Sequence, residues 1–234
     1  MISVHEFNPK VNTSITNFEL NITLDELKII DNIWNEYQKN NKYSGSNGKI
    51  LSVDIISNSK ITLKIIEYKF FYAKIKNPRL LKKIKIQPLA VSGILVCNDG
   101  IVIGKRSDTC LQNPSSWELV PSGGLDLKIQ KTKNKINFTD QILIELFEEI
   151  GIEKKYVVNI LPFCYLFDKK SKVYDIGIEI ITNLSFKDIK KKFSKVQVNE
   201  YTNLKLLEKN KRKQVDLIDI SEVLYDNYIK MKFL

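Results

Sequence analysis

One segment near the middle of the chain places its acidic residues on a single face of a helix. In QILIELFEEIGI, residues 141–152, Glu145, Glu148 and Glu149 recur at i, i+3 and i+4, within about one third of the helix circumference. The apolar residues fall on the opposite side, as expected of a buried stripe, and they are Ile142, Leu143, Leu146, Phe147 and Ile150. Such a helix must pack on a hydrophobic core. Its like charges cost a few tenths of a kcal/mol per pair unless a cation lies beside them.

Both ends of this acidic helix are indicated by the residues that flank it. Thr139 and Asp140 offer a capping side chain and a negative charge at the positive end of the helix dipole. Gly151 is the residue type that most readily takes the left-handed conformation in which helices end. The sequence therefore predicts an N-cap at Thr139 or Asp140 and a stop at Gly151.

A pair of glycines lies upstream of the helix, in WELVPSGGLD, residues 117–126. A short apolar strand ends before a proline, and Gly123 and Gly124 follow it. Because glycine lets another group approach the backbone closely, we expect a carbonyl of Gly123 or Gly124 to reach a metal ion or a phosphate. An ordinary turn after a strand is the alternative.

GGLD followed by IELFEEIGI resembles the Nudix hydrolase signature, G-x5-E-x7-R-E-U-x-E-E-x-G-U with U aliphatic. The second half of the signature is matched by Glu145, Leu146, Glu148, Glu149, Gly151 and Ile152. The first half departs from it. The spacing from Gly124 to Ile144 is longer, owing to the basic segment LKIQKTKNKINF, and no glutamate takes the place of the signature's first one. Ile144 replaces the arginine, which in the family orients a metal-binding glutamate.

The resemblance covers roughly residues 87–230 and implies an α+β chain with a Nudix-type α/β/α sandwich around a mixed β-sheet. Asp99-Gly100, within residues 89–107, is a strong hairpin-turn signal between two strands. Residues 155–168 and 172–184 have the composition of two further strands, joined by a lysine-rich turn. We therefore expect a Nudix hydrolase domain over residues 87–234.

The resemblance also implies a metal site. Glu145, Glu148 and Glu149, with the carbonyl of Gly124, would bind Mg²⁺, or Mn²⁺ in its place, hard ions that prefer oxygen ligands. Glu200 lies before a predicted strand, where Nudix hydrolases commonly carry a metal ligand or a general base. The catalytic residues implied are thus Glu145, Glu149 and Glu200, one of which orients or deprotonates the attacking water.

Four residues are candidates for substrate binding. Lys105 and Arg106 end a predicted strand where such proteins present charge to the substrate, with a solvated strand end as the alternative. Gly123 would approach a phosphate, and Tyr72 would stack on a base. Glu179, a carboxylate among apolar strand residues, is expected to face water, with the metal cleft as the alternative.

Residues 1–86 are predicted to form an α/β extension. Thr23 caps an amphipathic helix, and residues 50–58 and 61–75 have the composition of paired strands. Tyr72 lies in the aromatic end of the second strand, and strand aromatics are most often core residues. The arrangement loosely resembles the extension of Nudix enzymes that act on nucleoside diphosphate sugars. It implies a role in substrate recognition or in a homodimer.

The chain is basic, with 37 lysines and arginines and a net charge of +10. Lysines cluster in residues 80–86, 128–135, 187–195 and 208–213. These clusters could attract phosphates or RNA, although lysine is abundant throughout and charge runs are usually solvated faces. With a single histidine, His5, catalysis by histidine and zinc binding are disfavoured.

The three cysteines, Cys97, Cys110 and Cys164, are scattered without CxxC spacing. This pattern disfavours a disulfide framework and fits a reducing cytoplasm. We see no secretory signal at the start of the chain and no apolar stretch that approaches a membrane span, so we expect a cytoplasmic protein without a membrane partner.

The sequence thus predicts a Mg²⁺-dependent Nudix pyrophosphohydrolase. Its substrate would be a nucleoside diphosphate linked to another moiety, such as a nucleotide sugar, and its products a nucleoside monophosphate and a phosphorylated remainder. An RNA-directed protein, for decapping or RNA binding, and a catalytically degenerate Nudix protein are the alternatives, because the signature's arginine and first glutamate are missing.

Overall fold

The structure, a computed structural model, describes residues 1–16, 20–40, 47–82, 84–125, 127, 136–197, 200–207 and 215–233. The strands are β1 (Ile2–Glu6), β2 (Asn12–Thr16), β3 (Lys49–Ile56), β4 (Lys60–Glu67), β5 (Leu89–Cys97), β6 (Gly100–Arg106), β7 (Trp117–Leu119), β8 (Ser122–Gly124), β9 (Val157–Asp168), β10 (Val173–Thr182) and β11 (Tyr201–Leu207). The helices are α1 (Leu24–Asn40), α2 (Tyr68–Lys76), α3 (Phe138–Glu145), α4 (Phe186–Phe193) and α5 (Asp219–Phe233).

The larger of two β-sheets has the strand order β1-β9-β10-β5-β6-β11, with β7 paired to β6 and β8 paired to β5. Strand β10 runs parallel to β5, whereas β9 is antiparallel to both β1 and β10. Strands β5 and β6 form the predicted hairpin, in which Cys97 pairs with Gly100. The sheet is therefore mixed, as the sequence predicts.

One face of the larger sheet carries the main hydrophobic core. Val91 of β5 packs there with Ile142 of α3, Ile189 of α4 and Leu63 of β4. The opposite face carries a second core, in which Ile94 of β5 lies with residues of α5. Neighbouring residues of β5 enter different cores because side chains alternate along a strand. With helices on both faces of a mixed sheet, the predicted α/β/α architecture is confirmed.

The segment before residue 87 contributes to both sheets. Strand β1 pairs with β9 in the larger sheet, while β2, β4 and β3 form the smaller, three-stranded sheet. Helices α1 and α2 pack on the smaller sheet in a third core that contains Ile30, Ile66 and Phe71. Thr23 caps α1 as predicted, since its Oγ accepts from the backbone N–H of Glu26 at 3.2 Å. The division at residue 86 and the extension's function stay predictions.

The aromatic run at residues 68–72 was predicted as the end of a strand, and this prediction is wrong. Strand β4 ends at Glu67, and the run forms α2. Phe70, Phe71 and Tyr72 are all buried, because α2 turns them towards α1 and the smaller sheet. Tertiary packing has overridden the strand propensity of these aromatic residues.

Glu179 was expected to face water, and this prediction is also wrong. Its side chain is only 1% exposed, under α5. The Tyr228 hydroxyl donates to Glu179 at 2.8 Å, and Lys232 Nζ lies 2.8 Å from its Oε1. Two side chains of α5 thus take the place of water around this carboxylate.

All three cysteines are free thiols, in agreement with the prediction against a disulfide framework. Among the described residues, no helix is both long enough and apolar enough to cross a membrane.

Candidate functional site

The N-cap of the acidic helix lies two residues before Thr139, the first of the two predicted cap residues. The N-cap of α3 is Asn137, whose side-chain oxygen accepts from the backbone N–H of Thr139 at 3.2 Å. Thr139 Oγ1 donates to the same oxygen at 2.7 Å, so the predicted cap serves to orient the actual one. Asp140 lies in the first turn, where its charge favours the positive end of the helix dipole.

The helix ends in a π turn, and its glutamates differ in their exposure to solvent. After Glu145 the chain continues as a π-helical turn, Leu146–Ile150, and it stops at Gly151, which has the left-handed conformation predicted for it (φ 79°). Because a π turn spaces its hydrogen bonds by five residues instead of four, side chains beyond Glu145 are shifted around the axis. Glu148 is exposed, Glu149 is buried at 5% exposure, and Phe147, predicted to be buried, is 56% exposed.

The Glu145 carboxyl group lies directly against the backbone of Gly123. A Cβ atom at residue 123 would overlap the carboxyl carbon and both carboxylate oxygens of Glu145. On its other side, Gln141 Nε2 donates to Glu145 Oε1 at 2.5 Å. At Gly124 a Cβ would meet open space. The close approach predicted for the glycine pair is therefore found at Gly123, and the approaching group is a carboxylate.

Glu149 is held in a buried position surrounded by other acids. The backbone N–H of Ser122 donates to Glu149 Oε2 at 3.1 Å. Burial raises the pKa of Glu149 well above its usual value, and repulsion by Glu145 and by Glu200 raises it further. The single hydrogen bond from Ser122 offsets only part of this rise. Glu149 is therefore a buried acid with acidic neighbours.

Arg106 is the counterion of two further carboxylates. Its Nη1 lies 2.5 Å from Glu118 and its Nη2 lies 2.9 Å from Glu200, while Nε donates to the carbonyl of Gln112 at 3.0 Å. Burial lowers the pKa of Arg106, but attraction to Glu118 and Glu200 outweighs burial, so the pKa is raised. The guanidinium thus ties β7 to the residue that precedes β11.

Glu118 is a member of the cluster that sequence reasoning missed. It is 3% exposed, and burial raises its pKa despite Arg106 and the Tyr201 hydroxyl, which donates to it at 2.7 Å. One signal was available, since a carboxylate in the short apolar strand just before the glycine pair requires a partner when that strand is buried. Glu200, which the sequence did indicate, lies beside it.

The candidate substrate-binding residues are not all brought together. Arg106 is occupied by carboxylates, and Lys105 points to the opposite face of the sheet because successive side chains of a strand alternate. Tyr72 is buried on α2, where its ring centroid is 4.5 Å from that of Tyr37 of α1. Of the four, Gly123 lies against Glu145, and Arg106 lies against Glu118 and Glu200.

Whether these side chains could bind a metal ion can be judged from the donor atoms that they offer. Over the part of the chain that the structure describes, no three histidine, cysteine, aspartate or glutamate side chains converge as a metal site requires. Glu145 and Glu149 nevertheless offer oxygen donors only, and burial, followed by repulsion from Glu145, raises the pKa of Glu149. Gly123 lets the Glu145 carboxyl lie directly against its backbone. Such donors fit a hard divalent cation.

The basic segments are described only in part. Residues 128–135 and 208–213, which include two of the predicted lysine clusters, lie outside the described residues. In the cluster at residues 187–195, helix α4 is capped by Ser185 in a reciprocal pair with Asp188. Its exposed lysines are Lys187, Lys190 and Lys191, with Lys195 following the helix.

Comparison with known proteins gives matches among solved structures. No family model and no curated protein matches the sequence. The Nudix domain of NrtR from Shewanella oneidensis, solved with ADP-ribose, is similar at 13% identity and a TM-score of 0.45, over 68% of this chain and 97% of that one. A MutT protein from Methanosarcina mazei is similar at 12% identity and a TM-score of 0.44, over 63% and 96%.

A bifunctional NMN adenylyltransferase/ADP-ribose pyrophosphatase from Francisella tularensis, solved with AMP and a manganese ion, matches at 14% identity and a TM-score of 0.44. The match covers 68% of this chain and 46% of that one. The resemblance to Nudix proteins indicated by the sequence is thus also found among solved structures. At these low identities and TM-scores, the likenesses assign no activity, and the function proposed below rests on this chain's own residues.

Proposed function

We propose that this chain is a Nudix pyrophosphohydrolase that uses Mg²⁺ or Mn²⁺ to cleave a nucleoside diphosphate linked to another moiety. The observation that carries the proposal is the position of Glu149. Burial first, and then the charges of Glu145 and Glu200, raise its pKa, and Arg106 is already engaged by Glu118 and Glu200. A cluster of this kind costs stability unless a cation neutralises it, so it is best explained by a cation.

The ligands of this cation would be Glu145 and Glu149, with the backbone carbonyl of Gly123 or Gly124 beside them. Glu148, at the exposed end of the same π turn, would complete the set from the solvent side. A bound divalent ion neutralises phosphate charge and lowers the pKa of a coordinated water.

The general base proposed is Glu200. Its carboxylate is fixed at 2.9 Å from Arg106 Nη2, and its backbone carbonyl accepts from Ser107 N–H at 2.8 Å. Both contacts orient Glu200 towards the cluster, since its charge contributes to the raised pKa of Glu149. Orientation of the water and removal of its proton are then tasks of this side chain. No covalent nucleophile is required.

The substrate proposed has two linked phosphates, because their oxygens are the groups that a cation held by carboxylates can neutralise. A nucleotide sugar or a similar compound meets this requirement, and hydrolysis would give a nucleoside monophosphate and a phosphorylated product. The extension at residues 1–86 would contribute to substrate recognition or to a homodimer.

An assay on purified protein tests the proposal. Nucleotide sugars, ADP-ribose and dinucleoside polyphosphates are incubated with Mg²⁺ or Mn²⁺, and nucleoside monophosphate release is measured by chromatography. We expect activity on at least one compound, lost in EDTA and reduced about 100-fold or more by Glu149→Gln. Glu222→Gln, at an exposed glutamate of α5 outside the extension, is the matched control and leaves the activity unchanged. Activity that Glu149→Gln leaves intact would contradict the proposal.

A second candidate is an RNA-binding protein on the same fold, catalytically degenerate. It is favoured by the exposed lysines of α4, Lys187, Lys190 and Lys191, which could contact a phosphate backbone. This candidate predicts RNA binding that weakens steeply with salt and survives Glu149→Gln. A filter-binding titration at several salt concentrations distinguishes it from the hydrolase.

A further inference from the structure

We propose that Gln141 is a positioning residue, which holds the Glu145 carboxylate in place for the divalent cation. This inference rests on the proposed function. The acidic segment, residues 141–152, carries no cationic side chain that could hold Glu145, and the residue before Glu145, Ile144, is apolar and 38% exposed. The neutral amide of Gln141 holds it instead.

The contact between the two side chains is well defined. Gln141 is 4% exposed and precedes Glu145 by one helical turn, so both side chains lie on the same face of α3. Gln141 Nε2 donates to Glu145 Oε1 at 2.5 Å. An ionised carboxylate only accepts hydrogen bonds, so the amide nitrogen and not the amide oxygen must face Glu145. A bond from a buried donor to a charged acceptor is among the stronger hydrogen bonds in proteins.

Two contacts among the described residues restrain the Glu145 carboxylate. The Gly123 backbone supports it on one side, at a distance that only glycine permits. The Gln141 amide restrains it on another. A glutamate has three rotatable side-chain bonds, and an isolated one on a helix surface would sample several rotamers. Glu145 is therefore preorganised before any ion arrives.

The neutrality of the amide has a consequence for cation binding. Arg106 holds Glu118 and Glu200 by opposite charge, which cancels part of the negative potential. Gln141 orients Glu145 without adding a positive charge of its own, so this contact leaves the repulsion between Glu145 and Glu149 unchanged. Among the described residues, Arg106 holds Glu118 and Glu200 by charge, and Gln141 holds Glu145 as a neutral amide.

The test measures Mn²⁺ affinity by electron paramagnetic resonance of free Mn²⁺, on full-length protein. Gln141→Met removes the donor with little change in side-chain volume, and we expect affinity to fall about 10-fold or more. Gln38→Met, the same change on the exposed face of α1, leaves the affinity unchanged. Thermal unfolding confirms that each variant is folded, and Gln141→Leu replaces Gln141→Met if the latter does not fold.

A double-mutant cycle separates positioning from general packing. In a Glu145→Gln background the partner of the amide bond has lost its charge, so Gln141→Met should have little further effect on Mn²⁺ affinity. Losses that add independently would overturn the inference, as would wild-type affinity in Gln141→Met and Gln141→Leu. If the wild-type protein binds no Mn²⁺, the proposed function fails and this inference fails with it. If the wild type binds Mn²⁺ and the Gln141 variants bind it with wild-type affinity, this inference fails while the proposed function stands.

Discussion

The carboxyl group of Glu145 occupies the space in which the Cβ atom of any other residue at position 123 would lie. A residue of the acidic helix and a residue of the short strand β8 therefore constrain each other. Only glycine fits at position 123 because the Glu145 carboxylate lies there, and the Gly123 backbone in turn fixes the position of that carboxylate.

Replacement of this glycine should separate metal binding from stability. In Gly123→Ala the new methyl group displaces the Glu145 carboxyl, which can rotate away at a cost of no more than about 1.5 kcal/mol. We expect Mn²⁺ affinity to fall about 10-fold or more while the free energy of unfolding changes little, measured by Mn²⁺ titration and urea denaturation. Gly124→Ala, where a Cβ meets open space, is the control for stability. A variant with normal Mn²⁺ affinity would refute the arrangement.

Removal of the Arg106 guanidinium should destabilise the fold. Arg106→Met leaves Glu118, at 3% exposure, buried without its counterion, and the loss expected for a broken buried pair is about 3 kcal/mol or more. Urea denaturation at pH 7 measures the loss. Arg79→Met, at an exposed arginine, is the control and should change stability by less than about 0.5 kcal/mol. If both variants lose equally little, the network around Arg106 contributes no stability.

A buried aspartate on the opposite face of the sheet predicts a pH dependence. Burial raises the pKa of Asp175 to about 6, and the hydrogen bond from Ser92 offsets part of that rise. Between about pH 4 and pH 6 the folded protein keeps this proton and the unfolded chain has lost it. The aspartate therefore lowers stability as pH rises through that window, by about 3 kcal/mol in all.

The variant Asp175→Asn keeps an acceptor for Ser92 and removes the titration. Relative to wild type, its stability should increase by about 3 kcal/mol between pH 4 and pH 7, measured by urea denaturation across that range. Asp216→Asn, at an exposed aspartate, is the control with a pH-independent difference. A constant difference between Asp175→Asn and wild type would contradict the raised pKa.

Local sequence patterns predicted the elements of the site better than its contacts. The stop at Gly151 and the hairpin at Asp99-Gly100 follow from local backbone preferences, and both are confirmed. The inward turn of Glu149 was missed because a π turn has no simple signature in residue spacing. Helical periodicity therefore predicted a single acidic face that the structure does not have.

Contacts between distant parts of the chain account for the remaining differences. Arg106 was assigned to the substrate because neither Glu118 nor Glu200 could be placed beside it from the sequence. The burial of Glu179 likewise depends on α5, whose lysine and tyrosine reach it only in the folded chain. Tertiary packing decides such pairings, and neither periodicity nor local propensity can predict them.

The central claim is that Glu149 and its neighbours hold a divalent cation, and the effect of Mn²⁺ on thermal unfolding tests it most directly. An ion that binds only the folded state adds about 2.7 kcal/mol at 100 times its dissociation constant. We predict that Mn²⁺ raises the melting temperature of the wild type and that Glu149→Gln loses most of this rise. In EDTA, Glu149→Gln should be at least as stable as the wild type, because a buried, repelled charge is gone. Equal melting temperatures of the wild type with and without Mn²⁺ would contradict the account.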